Sequence, residues 1–165
     1  MATASKTELA LQALLAALTA QANGPGGIPV PSRNETLPTR FALSDSGVVD
    51  VFFNVNDGDG GPVQTAIGHP DETDEVYQIE HRAEIDWVVK AMDGTQASLD
   101  ARDAAFDDGL IAVDDALKAD RSLGGTVDWC QIEKTARSNL VTDGLPNIKA
   151  ISLTLLMQFV SSRPF

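Results

Sequence analysis

The chain has 165 residues and a mass of 17.5 kDa, enough for one domain with its own core. Apolar residues make up 43% and charged residues 22%, ordinary for a globular protein, while 12 Lys+Arg against 24 Asp+Glu leave a formal charge of −12. That charge opposes sequence-independent DNA binding, since phosphates are repelled, yet suits a wall past which DNA slides without adhering. The single Cys130 excludes an internal disulfide framework and a cysteine-cluster zinc site.

Residues 5–22 read as a helix. Ser5 can cap it, Glu8 completes a capping box, and Leu11, Leu14, Leu15 and Leu18 form an apolar stripe. The apolar run Leu9 to Leu18 is Ala-rich, interrupted by Gln12 and too short to span a bilayer, and only Lys6 precedes it as a positive charge. A soluble, cytoplasmic product is expected. Asn23-Gly24-Pro25-Gly26-Gly27 ends the helix and opens a Pro/Gly-rich arm, 23–46, expected to be extended or irregular with at most a short edge strand.

Residues 47–55 alternate, with Val49, Val51, Phe53 and Val55 on one face and Asp50 and Asn54 on the other, a half-buried strand. Residues 56–73, beginning Asn56-Asp57-Gly58-Asp59-Gly60-Gly61-Pro62, read as a flexible acidic loop. Residues 76–91 show the clearest period of two. Tyr77, Ile79, Ala83, Ile85, Trp87 and Val89 face one way, and Gln78, Glu80, Arg82, Glu84, Asp86 and Lys90 the other. Extended, such a strand measures roughly 50 Å, more than a small core needs, so part of it is expected to project or to pair with another subunit.

Residues 96–118 switch to helical period through Leu99, Phe106, Leu110, Val113 and Leu117, with Asp100, Asp103, Asp107 and Asp114 mostly off that face. Gly124-Gly125 breaks the chain. A strand is predicted over 126–133, with Val127 and Trp129 opposite Thr126 and Asp128, and a last strand over 147–160. The order α-β-β-β-α-β-β, without regular βαβ alternation, predicts a single α+β domain: an antiparallel sheet with two helices packed on one face.

Residue types that carry chemistry are scarce. His81 lies on the apolar face of the long strand and reads as a satisfied core histidine; His69 sits in the predicted loop. Cys130 has no base or orienting partner signalled nearby and reads as a buried structural thiol. Counted from Asp57, position five of a calcium loop falls on Gly61 and position twelve on Gly68, so the EF-hand pattern fails. Gly124-Gly125-Thr126 lacks the lysine of a phosphate loop and precedes a strand. Asp107/Asp108 and Asp114/Asp115 fit a solvated helix face. No catalytic constellation, metal site or cofactor is expected.

The stretch Ala119-Asp120-Arg121-Ser122-Leu123-Gly124-Gly125-Thr126-Val127-Asp128-Trp129 and the closing segment Asn147 to Phe159 resemble the tail terminator (tail completion) proteins of long-tailed bacteriophages and related neck proteins of phage-like gene transfer agents. The resemblance covers residues 5–20 and about 76–160, and 23–75 poorly. It implies a six-fold ring that caps the tail tube, ends its polymerisation and meets the head connector or stopper protein, with DNA passing through the lumen, at the tail–neck junction of a virion assembled in a bacterial cytoplasm. On that reading the partner contacts fall on the arm 23–46, on the predicted loop, at Asp57, Asp59, Asp71, Glu72 and Asp74, and on the polar face of the long strand, at Glu84 and Asp86. Gly124-Gly125 sets backbone geometry. Another neck component or a tail tube subunit shares the same logic, and a small enzyme or ligand-binding domain is the alternative from another class.

Overall fold

Helix α1 (Lys6–Gln21) starts where the Ser5 hydroxyl accepts the Glu8 backbone N–H at 3.1 Å in the computed structural model, which describes residues 4–22, 28–36, 42–43, 49–66, 76–137 and 147–163. The reciprocal half of the expected capping box is absent: the Glu8 carboxylate accepts from Gln12 and Arg33 instead. Leu11, Leu14 and Leu18 are buried and Leu15 half-buried, as the stripe predicts. The Gly-Pro-Gly break at 23–27 lies outside the described residues.

Two short strands follow, β1 (Ser32–Arg33) and β2 (Ala42–Leu43), both paired with β3 (Val49–Ala66). Strand β1 runs parallel to β3, so the sheet is mixed where a wholly antiparallel one was expected. Asn54 holds the pair together. Fully buried, it accepts the Glu35 N–H at 3.1 Å and donates to the Glu35 carbonyl at 3.0 Å and to Asn56 Oδ1 at 2.9 Å, so its burial costs little.

The largest departure from expectation lies in residues 56–66. They form no loop: β3 continues to Ala66 in antiparallel register with β4 (Val76–Ala91), interrupted by irregularities between Asn56 and Asp59 and between Pro62 and Gln64. Glycine makes this possible. Gly58 has φ +66°, and a Cβ there would lie 1.7 Å from the Arg82 carbonyl oxygen; at Gly60 one would lie 2.4 Å from that of Glu80. A bulge admits this close backbone approach only where side chains are missing. Residues 67–73 lie outside the described ones.

Strand β4 pairs with β3 on one side and with β6 (Ile148–Ser161) on the other, from Tyr77↔Ser161 to Lys90↔Ile148. It is the middle of the sheet and has no free edge for a neighbour's strand, against expectation. Strand β5 (Trp129–Arg137) pairs with β6, giving the order β1-β3-β4-β6-β5 with β2 also on β3. It begins three residues later than predicted, because 120–128 are taken up by a turn. Its facing also differs: Cys130 is buried, whereas Trp129 is 42% exposed and Val127 is buried within the turn.

Helix α2 (Gln96–Ala119) is capped by Thr95 and buries Ser98, Arg102, Phe106, Gly109, Val113, Ala116 and Leu117. Both helices share one apolar core with the odd-numbered residues of β4, among them Ile85, Trp87 and Val89, and with Leu153, Leu155, Met157 and Phe159 of β6. Trp87 anchors it. Its indole N–H donates to the Phe106 carbonyl at 3.1 Å, and its ring stands edge-on to Phe53 with centroids 5.5 Å apart. The fold is thus α+β, with two helices on one face of a mixed sheet and a second face that no helix covers among the described residues.

Candidate interaction surface

The helix-free face carries the even-numbered residues of β4 and their neighbours in register. At one end Phe52, Val88 and Ala150 form a small buried apolar cluster with Ile148 beside it. Towards the middle lie Asp86, which accepts from Asn56 Nδ2 at 2.6 Å, and Glu84, exposed between Asn56 and Thr154. Next comes a polar network across three strands. Arg82 donates to both carboxylate oxygens of Glu133, at 2.7 and 2.9 Å, and to Glu80 at 3.3 Å; Gln158 donates to Glu80 at 3.0 Å. The guanidinium holds the Glu133 carboxyl below its ordinary range.

Of the residues expected to contact partners, Asp57 has an internal role. Arg33 donates to it through Nε at 2.6 Å and Nη2 at 2.9 Å, and to Glu8 through Nη1 at 2.8 Å and Nη2 at 2.7 Å. One guanidinium thus ties the first turn of α1 to the bulge of β3. Hydrogen bonding to Arg33 lowers both carboxyl pKa values, that of Glu8 to about 2. Asp59 is exposed, in register with Arg82. Asp71, Glu72 and Asp74 lie outside the described residues.

The segment between α2 and β5, residues 120–128, is a built turn. Asp120 Oδ1 accepts the Ser122 hydroxyl at 2.6 Å and its N–H at 2.8 Å, and Oδ2 accepts the Gly124 N–H at 2.6 Å. These bonds, led by the Ser122 hydroxyl, lower the Asp120 pKa. Leu123, buried, takes φ +49°, and Gly124 and Gly125 take +70° and +78°. Three left-handed residues in succession reverse the chain from α2 into β5, a geometry that favours glycine at the exposed positions.

Beyond this turn lies a feature that periodicity did not reveal. The Arg121 guanidinium stacks over the exposed Trp129 ring, 4.8 Å from its centroid, and Nη1 reaches the Cys130 carbonyl at 3.5 Å. Trp129 donates to Gln131 Oε1 at 3.2 Å. Arg121 and Gln131, with Asp114, Leu117 and Ile132, line an open cleft of about 220 Å³ at the outer edge of β5. Val160 of β6, 47% exposed, lies two residues beyond Gln158, the partner of Trp129. The one signal in the sequence was Trp129 itself, placed one residue before a buried Cys130, but the misplaced strand boundary turned it inward.

The remaining chemistry-bearing groups are internal. A ring nitrogen of the buried His81, Nε2, lies 2.5 Å from the Asp57 carbonyl oxygen. Burial pushes the Cys130 thiol up to about 11, so it stays protonated at neutral pH. Among the described residues no group of three or more His, Cys, Asp or Glu is arranged to hold a metal ion, and no helix is long and apolar enough to cross a membrane.

The chain matches no protein-family model and no curated protein.

Proposed function

We propose that this chain is a structural virion subunit, a tail terminator that assembles as a ring on the finished tail tube, stops its growth and presents the joining face to the head connector. The observation that carries the reading is the one-sided sheet. Both helices cover one face, the other carries Glu84 and Asp86 beside the buried Phe52, Val88 and Ala150, and among the described residues nothing pairs with the outer edge of β3 beyond Val55 or with that of β5. A subunit of this form offers two lateral edges to neighbouring copies and keeps a separate face for axial partners or a lumen. A heterologous contact between such edges closes into a ring when the rotation per copy divides a full turn. Six copies is the number the resemblance implies. DNA then passes through without specific binding, in keeping with the charge of −12. No bond is made or broken, and no cofactor is needed.

The test is light scattering and negative-stain microscopy of the purified chain, alone and with isolated tails. The expected result is a ring-sized species that caps one tube end and blocks elongation. A chain that stays monomeric and leaves tube growth unchanged overturns the reading. Glu84→Lys with Asp86→Lys is expected to leave the fold intact and weaken binding to tube or connector.

A further inference from the structure

We infer that the two lateral edges of this subunit are complementary, and that Asp59 at the β3 edge of one copy meets Arg121 at the β5 edge of the next, with Val63 falling beside Trp129. The inference rests on the ring reading and specifies its contact.

The sheet register places these groups. Asp59 pairs with Arg82, Arg82 with Leu156, and Leu156 with Gln131, so Asp59 and the wall of the Arg121 cleft end the same row at opposite edges. Gly61, Glu80, Gln158 and Trp129 make the next such row, and Val63, 56% exposed, lies within two rows of Trp129. When copies are related by rotation about a ring axis that runs along the strands, one copy's β3 edge faces the next copy's β5 edge with matching rows at the same height. The strands alternate from β3 through β4 and β6 to β5, so the facing strands run antiparallel.

Charge is complementary as well. Arg33, Arg82 and Arg102 each meet a carboxylate within the chain. Arg121 is half-buried over an indole, with no carboxylate at ion-pair distance among the described residues, although the chain is strongly acidic. Asp59 is exposed, with no cation at ion-pair distance among the described residues. Arg and Trp are among the residues enriched in binding hot spots, and stacking on the indole holds the guanidinium in place. The contact is made by side chains and not by an added ladder, because both edges are interrupted: β3 by its two irregularities and Pro62, β5 by the irregularity between Ile132 and Lys134.

Within one chain Asp59 and Gln131 are three strand spacings apart, roughly 14 Å, so coupling between Asp59 and Arg121 must arise between copies. The experiment is charge reversal read by the concentration at which rings form. Asp59→Arg and Arg121→Asp are each expected to raise that concentration about tenfold or more, and the two together to restore most of the loss. Should the reversed Arg121 variant fail to fold by circular dichroism, Asp59→Asn and Arg121→Gln form a double-mutant cycle whose effects are expected to be less than additive. A wild-type ring whose single variants are weakened without rescue, or not weakened at all, or whose cycle is additive, overturns the contact and leaves the ring. A wild-type chain that forms no ring, alone or on tube ends, overturns both.

Discussion

Gly109 of α2 lies against the indole of Trp87 so closely that a Cβ there would sit 2.3 Å from Trp87 Cζ2. The absent side chain lets the helix settle onto β4 and brings the Phe106 carbonyl to the indole N–H. Glycine inside a helix is unfavourable by roughly 0.5–1 kcal/mol relative to alanine, and here that cost is offset by packing. Gly109→Ala is therefore expected to destabilise by about 1–3 kcal/mol, despite its better helix propensity, because the indole must shift. Urea denaturation followed by tryptophan fluorescence measures it. Gly94→Ala, where nothing lies within 4 Å of the added methyl, is the control and is expected to be near neutral.

The bulge of β3 makes a second prediction. Gly58→Ala combines a left-handed backbone with a Cβ driven into the Arg82 carbonyl. A cost of about 3 kcal/mol is expected, concentrated in the pairing of 59–66 with 76–82. Hydrogen exchange should show those amides losing protection while α2 and β6 keep theirs. Uniform protection would mean the bulge tolerates a side chain.

Arg33 links acid stability to the joint between α1 and β3. The Glu8 carboxyl, ordinarily near 4.5, sits at about 2 because Arg33 hydrogen-bonds its charged form. A pKa lowered in the folded state stabilises the fold above the unfolded-state value and loses its contribution as pH falls through the folded one. Arg33→Met is thus expected to cost about 1 kcal/mol at neutral pH, modest because the carboxylates are about one-third exposed. Wild type and variant should converge as pH falls from about 4.5 toward 2. Thermal melts across that range, and the Glu8 titration by NMR, check it.

Cys130 is predicted to be silent in the native chain. It is buried and its thiol is raised to about 11, so at pH 8 a thiol reagent should label it only as fast as the protein unfolds. Fast stoichiometric labelling under native conditions would show that the β5 edge opens readily.

What was legible in the sequence is what side-chain periodicity encodes. The stripe of α1, the alternation of β4 and β6 and the helical period of α2 follow from which residues must leave water, and they predict helices on one face of a sheet. The buried helix stripe is still not purely apolar: Arg102 and Gly109 lie on it, one reaching out to Asp103 and the other making room for Trp87. Gly124-Gly125 was legible as a break after α2, whereas the turn that runs from Asp120, held by the bonds to its carboxylate, was not.

Residues 56–66 were not legible, and the reason is physical. Their Asp and Gly residues have weak strand preference and no alternating apolar pattern, so nothing local marks them as a strand. Their extended state comes from backbone hydrogen bonds to β4 and from glycines that permit close approach, both supplied by a partner strand that propensity cannot see. The same holds for the surface. The sequence alone determined that the chain builds a one-sided α+β core and carries many acids. Only the tertiary structure decided which acids Arg33 holds, which strand is central, and that Asp59 and Gln131, in the wall of the Arg121 cleft, end one row at opposite edges, because register joins residues that chain distance keeps apart.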